Sequence, residues 1–168
     1  GNKIVNSNKF HVINNTINLS RYKYDVDIRN KYRKKYNIKE NDIVLGNIGN
    51  FSAAKNQLFI LKILKELTQK ANYKLILVGS GTLKSEFDKY IKEQNIEDKV
   101  IFTGPIDNVH EVLQAMDIFL FPSIFEGFGI AALEAQAAGV LTILSNKVPD
   151  DVIVSYNTLK LPLNKKKW

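Results

Sequence analysis

The sequence predicts an α/β domain, Rossmann-like, with a doubly wound parallel sheet, and three observations predict it. Short, nearly continuous apolar runs recur along the chain, longer amphipathic stretches separate them, and glycine or proline stands where most of the runs end. Strands apolar on both faces are what a sheet covered by helices on both sides requires, because one-sided strands alternate instead. Right-handed crossovers then wind the connecting helices onto both faces.

Element by element, residues 1–42 are expected to hold an extended entry around His11-Val12-Ile13 and then a basic helix. In that helix the run from Lys31 to Lys39, with Arg33, Lys34 and Lys35, forms one surface face. Ile43-Val44-Leu45, continuing to Ile48-Gly49, is the first strand. Leu58, Ile60, Leu61, Leu64 and Leu67 recur at helical spacing. Leu75 to Val78 is the second strand, stopped by Gly79-Ser80-Gly81, after which Thr82 caps a helix carrying Leu83, Phe87, Tyr90 and Ile91. Val100-Ile101-Phe102 is the third strand, ended by Gly104-Pro105, and Asn108 with Glu111 reads as a capping box for a short helix through Met116. Ile118 to Phe121 is the fourth strand. Ile130 to Ala138, closed by Gly139, is a small-residue helix, and Val140 to Leu144 is the fifth strand. Residues 150–163 hold two short apolar stretches without a period and receive no element.

Composition narrows the chemistry. The 168 residues include no cysteine, which excludes disulfides, zinc–thiolate sites, iron–sulfur clusters and cysteine nucleophiles, so packing alone holds the fold. His11 and His110 lie too far apart in sequence to make a metal cluster, and no run approaches the roughly 18–20 apolar residues of a membrane span. No Ser/His/Asp triad assembles. The single methionine is Met116, and the chain is expected to be a piece of a longer protein. Its net charge of +7 comes almost entirely from lysine, beside only three arginines. That excess reflects either an A·T-rich genome or an anionic partner: a membrane surface, a phosphate-bearing ligand or nucleic acid. The shortage of arginine speaks against a dedicated nucleic-acid reader.

In open α/β sheets ligands bind at the carboxyl ends of the strands, and this chain concentrates its unusual residues there. The loop after the first strand is Gly49-Asn50-Phe51-Ser52-Ala53-Ala54-Lys55-Asn56. The second strand is followed by Gly79-Ser80-Gly81, the third by Thr103-Gly104-Pro105, and the fourth by Pro122-Ser123-Ile124-Phe125-Glu126-Gly127-Phe128-Gly129. Gly127-Phe128-Gly129 directly precedes a helix, so free amides and the positive end of a helix dipole face the crevice, a ready seat for phosphate. Carboxylates accept hydrogen bonds from sugar hydroxyls. Glu126 and Glu134, one on each side of that helix start, therefore point to a nucleotide-sugar, unless they are an exposed loop acid and an ordinary helix-surface residue. Gly79-Ser80-Gly81 reads as a tight turn or a ligand loop, and Lys55 as a diphosphate ligand or a solvated lysine. Phe119, Phe121, Phe125 and Phe128 are mostly core, with Phe128 a candidate pocket wall, and His110 is a helix-surface residue.

The stretch from Phe121 through Glu126-Gly127-Phe128-Gly129 to Glu134-Ala135-Gln136-Ala137-Ala138-Gly139 resembles the Glu-x7-Glu signature of the GT-B retaining glycosyltransferases of family 4. Val12 to Asn18, Ile48-Gly49 through Asn56, Leu77 through Leu83, and Val100 through Gly104 resemble the entry turn and successive strand ends of that family's C-terminal, donor-binding domain. The Glu-Ala-Gln-Ala-Ala-Gly variant is most similar to capsular or exopolysaccharide-type members. The resemblance implies that residues 1–168 are the nucleotide-sugar binding domain, the C-terminal half of a GT-B fold. Such enzymes transfer a sugar from a UDP- or GDP-sugar with retention, without a further cofactor or metal. By position, Glu126 would bind hydroxyls of the transferred sugar and Glu134 those of the ribose, while Lys55 would neutralise the diphosphate. Gly127, Phe128 and Gly129 would contact sugar and phosphates, Gly49, Asn50, Gly79, Ser80 and Gly81 would line the crevice, and Phe102, Thr103 and Gly104 would border the base. Where many members carry arginine this chain has Asn50, which removes one cation from the diphosphate.

The resemblance implies two partners, the donor and an N-terminal acceptor domain outside this chain, and the lysine excess fits peripheral contact with an anionic membrane at its cytoplasmic face. A nucleotide-sugar epimerase of GT-B fold and a non-catalytic nucleotide-sugar binding module remain alternatives.

Overall fold

The computed structural model describes residues 15–168; the expected entry around His11-Val12-Ile13 lies outside them. The strands are β1 (Ile43–Ile48), β2 (Tyr73–Val78), β3 (Val100–Gly104), β4 (Ile118–Phe121), β5 (Leu141–Ser145) and β6 (Thr158–Leu161). All pair in parallel in one sheet of order β3-β2-β1-β4-β5-β6. The helices are α1 (Val26–Lys35), α2 (Gln57–Leu67), α3 (Lys84–Glu93), α4 (Val109–Leu113) and α5 (Ile130–Ala137). The expected Rossmann-like, doubly wound α/β domain is the one observed.

Alternation along the central strands builds two cores. Val44, Ile76, Phe119, Phe121 and Leu144 pack toward α1, α4 and α5, while Leu45, Leu75, Leu77, Leu120 and Ile143 pack toward α2 and α3. Helix α2 presents Ile60, Leu61 and Leu64 to the second core, and α3 presents Phe87 and Ile91, as their spacing predicts. Phe51, Phe87, Phe119 and Phe121 are fully buried, and truncating any one to alanine costs about 3–5 kcal/mol. Gly46 leaves room on β1 for Met116, whose sulfur would lie 1.9 Å from an added Cβ.

Four expectations need correction. A sixth strand, β6, forms within the stretch given no element; it is an edge strand with Leu159 half exposed, so its Thr-Leu-Lys-Leu sequence lacks a continuous apolar run. The basic helix is not merely a surface face, because Arg33 is buried, donating to the carbonyls of Lys39 (2.7 Å) and Asp42 (2.9 Å). Helix α3 begins at Lys84 with Leu83 in the cap position, so Thr82 does not cap it. The capping box is not made either: Asn108 and Glu111 both bond the Tyr32 hydroxyl on α1 instead of each other's backbone.

Tyr32 donates to Glu111 at 2.7 Å, which holds the Glu111 carboxyl below its ordinary range. Burial and the same carboxylate push the Tyr32 phenol up to about 12.

Candidate functional site

The strand order reverses between β1 and β4, and ligands of doubly wound sheets bind at that switch point. A cleft of about 390 Å³ opens there, lined in part by Gly49, Asn50 and Lys55 from the β1–α2 loop and by Glu126, Phe128 and Gly129 from the β4–α5 loop. Two bonds fix one loop against the other. The amide of Ile124 donates to the carbonyl of Ala54 (2.8 Å), and the Asn56 side chain donates to the carbonyl of Pro122 (3.2 Å). Asn56 takes the left-handed conformation at φ 56° to begin α2, a position asparagine tolerates better than most residues. Buried Gln57 donates to the Asn50 carbonyl at 3.0 Å and steadies the rest of the loop.

Gly129 performs the turn into α5. Its φ of 100° favours glycine, and an added Cβ would stand 3.3 Å from the Phe121 ring. No amide from Gly127 to Ala131 finds an acceptor among the described residues. These donors sit at the positive end of α5, on the edge of the cleft.

Across from them the Lys55 ammonium pairs with the Glu126 carboxylate and stands 5.1 Å from the centre of the Phe121 ring. Both side chains are mostly shielded, with 25% of Lys55 and 13% of Glu126 exposed. The Ser123 hydroxyl lies 3.5 Å from the same Glu126 oxygen, and the Ser123 carbonyl accepts from buried Ser145 on β5. The fixed partial charges of α5 leave the cleft suited to an anion, since the side-chain pair itself is neutral.

Of the residues singled out in the sequence, Gly49, Asn50, Lys55, Glu126, Phe128 and Gly129 line the cleft, and Gly127 is exposed between them. Glu134 lies one turn into α5, half-buried, with Oε1 accepting from the Tyr22 hydroxyl at 2.6 Å. Gly79, Ser80, Gly81, Phe102, Thr103 and Gly104 do not line it. Gly79 and Gly81 permit a close approach of loops: added Cβ atoms would lie 2.2 Å from the Gly49 carbonyl oxygen and 2.4 Å from that of Phe51. Gly79 donates its amide to Gly104 (3.0 Å), and Phe51 donates to the Ser80 carbonyl (2.8 Å), so the three loops form one block. Phe102 packs on Phe51 beneath the Lys84 ammonium.

Phe125, expected mostly in the core, is 77% exposed at the lip, while Phe119 and Phe121 are buried. His110 is half-buried rather than a simple surface residue, edge-on to the Tyr22 ring at 6.1 Å.

Sequence reasoning missed Asn15, Ile48, Ile130 and Ala131 as parts of the wall, and Ser123 and Tyr22 behind the two acids. Ile130 and Ala131 were findable, since the first amides of a helix are always unpaired within it. Among the described residues no helix is long and apolar enough to cross a membrane.

The profile of the family described as glycosyl transferases group 1 matches residues 28–158, a stretch spanning both walls of the cleft. The chain belongs to the glycosyl transferases group 1 family. A putative glycosyltransferase of Bacillus subtilis (strain 168), EpsF, is 28% identical over 145 residues, which are 86% of this chain and 38% of that protein. The fold of HepE from Anabaena, solved with UDP and glucose, superposes with a TM-score of 0.83 at 22% identity, covering 94% of this chain and 44% of HepE. The C-terminal domain of a group 1 family protein, LpcC of Francisella tularensis, gives a TM-score of 0.76 at 21% identity, covering 90% of this chain and 83% of that domain. This chain thus spans only part of the proteins it matches, 38% of EpsF and 44% of HepE. The fold superposes on under half of each of two longer GT-B glycosyltransferases, HepE and WaaG.

Proposed function

We propose that residues 1–168 form the donor-binding part of a retaining glycosyltransferase. It holds a nucleoside-diphosphate sugar while an N-terminal acceptor domain supplies the facing wall. The observation that carries this reading is the row of unpaired amides from Gly127 to Ala131, opening on a cleft whose far side carries the Lys55–Glu126 pair. Amides at a helix start seat phosphate, and an adjacent carboxylate selects for hydroxyl groups. HepE, of like fold, binds UDP and glucose, in keeping with such a donor.

The diphosphate lies at the start of α5, with Asn50, Gly49 and Phe128 around it. As it enters, Lys55 exchanges the Glu126 carboxylate for phosphate oxygens, and the released carboxylate accepts from hydroxyls of the sugar. In transfer, the bond between the anomeric carbon and the diphosphate oxygen breaks, the acceptor hydroxyl oxygen adds on the same face, and its proton passes to the departing diphosphate. Negative charge grows on the leaving diphosphate, so Lys55 and the α5 amides stabilise the transition state more than the bound donor. Glu134 takes ribose hydroxyls, and the base extends past the cleft lining toward Phe102 to Gly104. The acceptor is a polysaccharide or lipid-linked glycan, and the lysine excess favours work at the anionic cytoplasmic face of a membrane.

Thermal melting of the 168-residue chain tests the reading. UDP or GDP raises the melting temperature and the matching nucleoside does not, because a ligand bound only by the folded state stabilises it. Equal response to nucleoside and diphosphate, or none to either diphosphate, overturns it. The same chain transfers no sugar to an acceptor by itself, as radiolabelled donor turnover will register.

A further inference from the structure

Glu134 is half-buried on α5, yet its hydrogen-bond partner among the described residues comes from a segment 112 positions earlier. Tyr22 ends the 3-10 turn Leu19–Tyr22, which begins on Asn18, whose side chain accepts from the amide of Ser20. The turn wedges between α4 and α5, and Tyr22 is 6% exposed within the core that also holds Val112, Leu113 and Leu133. Its ring meets His110 of α4 edge-on, and the Arg21 guanidinium reaches the His110 Nδ1 at 3.3 Å. The ring is therefore held on several sides, and its one polar atom points at Oε1 of Glu134, 2.6 Å away.

We infer that Tyr22 is a positioning residue: its hydroxyl locks the Glu134 carboxylate in one orientation and leaves Oε2 directed to the ribose hydroxyls of the donor. This rests on the proposed role of Glu134. A free glutamate on a helix samples many rotamers, and ordering it on binding costs affinity; a phenol donor that has already fixed it removes that cost. Burial and the adjoining carboxylate raise the Tyr22 phenol above its ordinary range, so it remains a donor at every physiological pH.

A merely structural clasp would support the fold without caring which nucleotide is bound, and this difference supplies the test. Binding of UDP and GDP to the 168-residue chain is compared by calorimetry with binding of their 2′,3′-dideoxy analogues. Tyr22→Phe keeps the buried ring and its contact with His110. It is expected to weaken ribonucleotide binding about three- to tenfold, leaving dideoxynucleotide binding within twofold of the parent. Glu134→Ala produces the same loss of ribose preference or a larger one, and the double variant loses no more than Glu134→Ala alone.

If Tyr22→Phe weakens both nucleotide classes equally, or neither, while Glu134→Ala still erases the ribose preference, Tyr22 is no positioning residue and the role of Glu134 stands. If Glu134→Ala leaves the preference intact, the reading of Glu134 fails and the inference falls with it.

Discussion

Strands β1 and β4 carry a cation–carboxylate cluster at each end, and the two clusters differ in kind. At the amino ends, Asp117 accepts from the Val44 amide (2.8 Å) and the Arg29 guanidinium (2.6 Å), while Arg33 spends its fork on the carbonyls of Lys39, Glu40 and Asp42. At the carboxyl ends, Lys55 and Glu126 have each other, a distant serine hydroxyl and a row of amides with no acceptor among the described residues. One cluster is saturated from within the fold, and the other keeps unused donors facing a cleft. Saturation, more than burial or sign, is what sets the two clusters apart.

The sharpest way to break that comparison is at the saturated end. Arg33→Ala removes the guanidinium donor from the carbonyls of Glu40 and Asp42, and one of two donors from that of Lys39, and weakens the hold on Asp117; it is expected to destabilise the chain by about 3 kcal/mol in urea unfolding. The molecules that remain folded should bind nucleoside diphosphate as the parent does. Lys55→Ala is expected to reverse the pattern, lowering diphosphate affinity tenfold or more, about 1.5–3 kcal/mol, with stability changed by less than 1 kcal/mol. Asn50→Arg adds a second cation to the same wall and should tighten binding severalfold in the same titration.

The smallest effect belongs to the clasp between α1 and α4. Tyr32→Phe should cost about 1 kcal/mol at neutral pH, since the hydroxyl's bond to the Glu111 carboxylate and the one it accepts from Asn108 are lost, while Asn108 still donates to Glu111. Because the folded Glu111 carboxyl titrates below its unfolded value, its contribution is present above that unfolded value and is lost as pH falls through the folded one. The Tyr32 phenol works at the other limit: its contribution is complete below about 10 and disappears as pH rises through about 12. Urea midpoints of parent and variant across pH should therefore converge at the acid and alkaline extremes and differ most between them.

What the sequence disclosed follows from which forces are local. Five of the six strands were legible because buried parallel strands are continuous apolar runs, and α2 and α5 because helical spacing and Gly139 are near-neighbour signals. The cleft was legible where glycines and acids cluster after β4. Arg33 was not, because its partners are carbonyls placed by the turn beyond the helix, and periodicity sees only a basic residue. The expected capping box failed for a related reason: Tyr32 offers Asn108 and Glu111 a buried hydroxyl, and a tertiary partner outcompetes the local one. Tyr22 and Glu134 meet across 112 residues with no shared local pattern, and only the packed fold brings them together.

The pinch at Gly79 bears on how sequences of this type can drift. With no volume to spare against the carbonyls of Gly49 and Phe51, positions 79 and 81 are closed to any side chain, yet Ser80 and Thr82 beside them point into open water. A saturation library over residues 79–82 should therefore return a two-letter rhythm, invariant at the odd places and freely varied at the even ones.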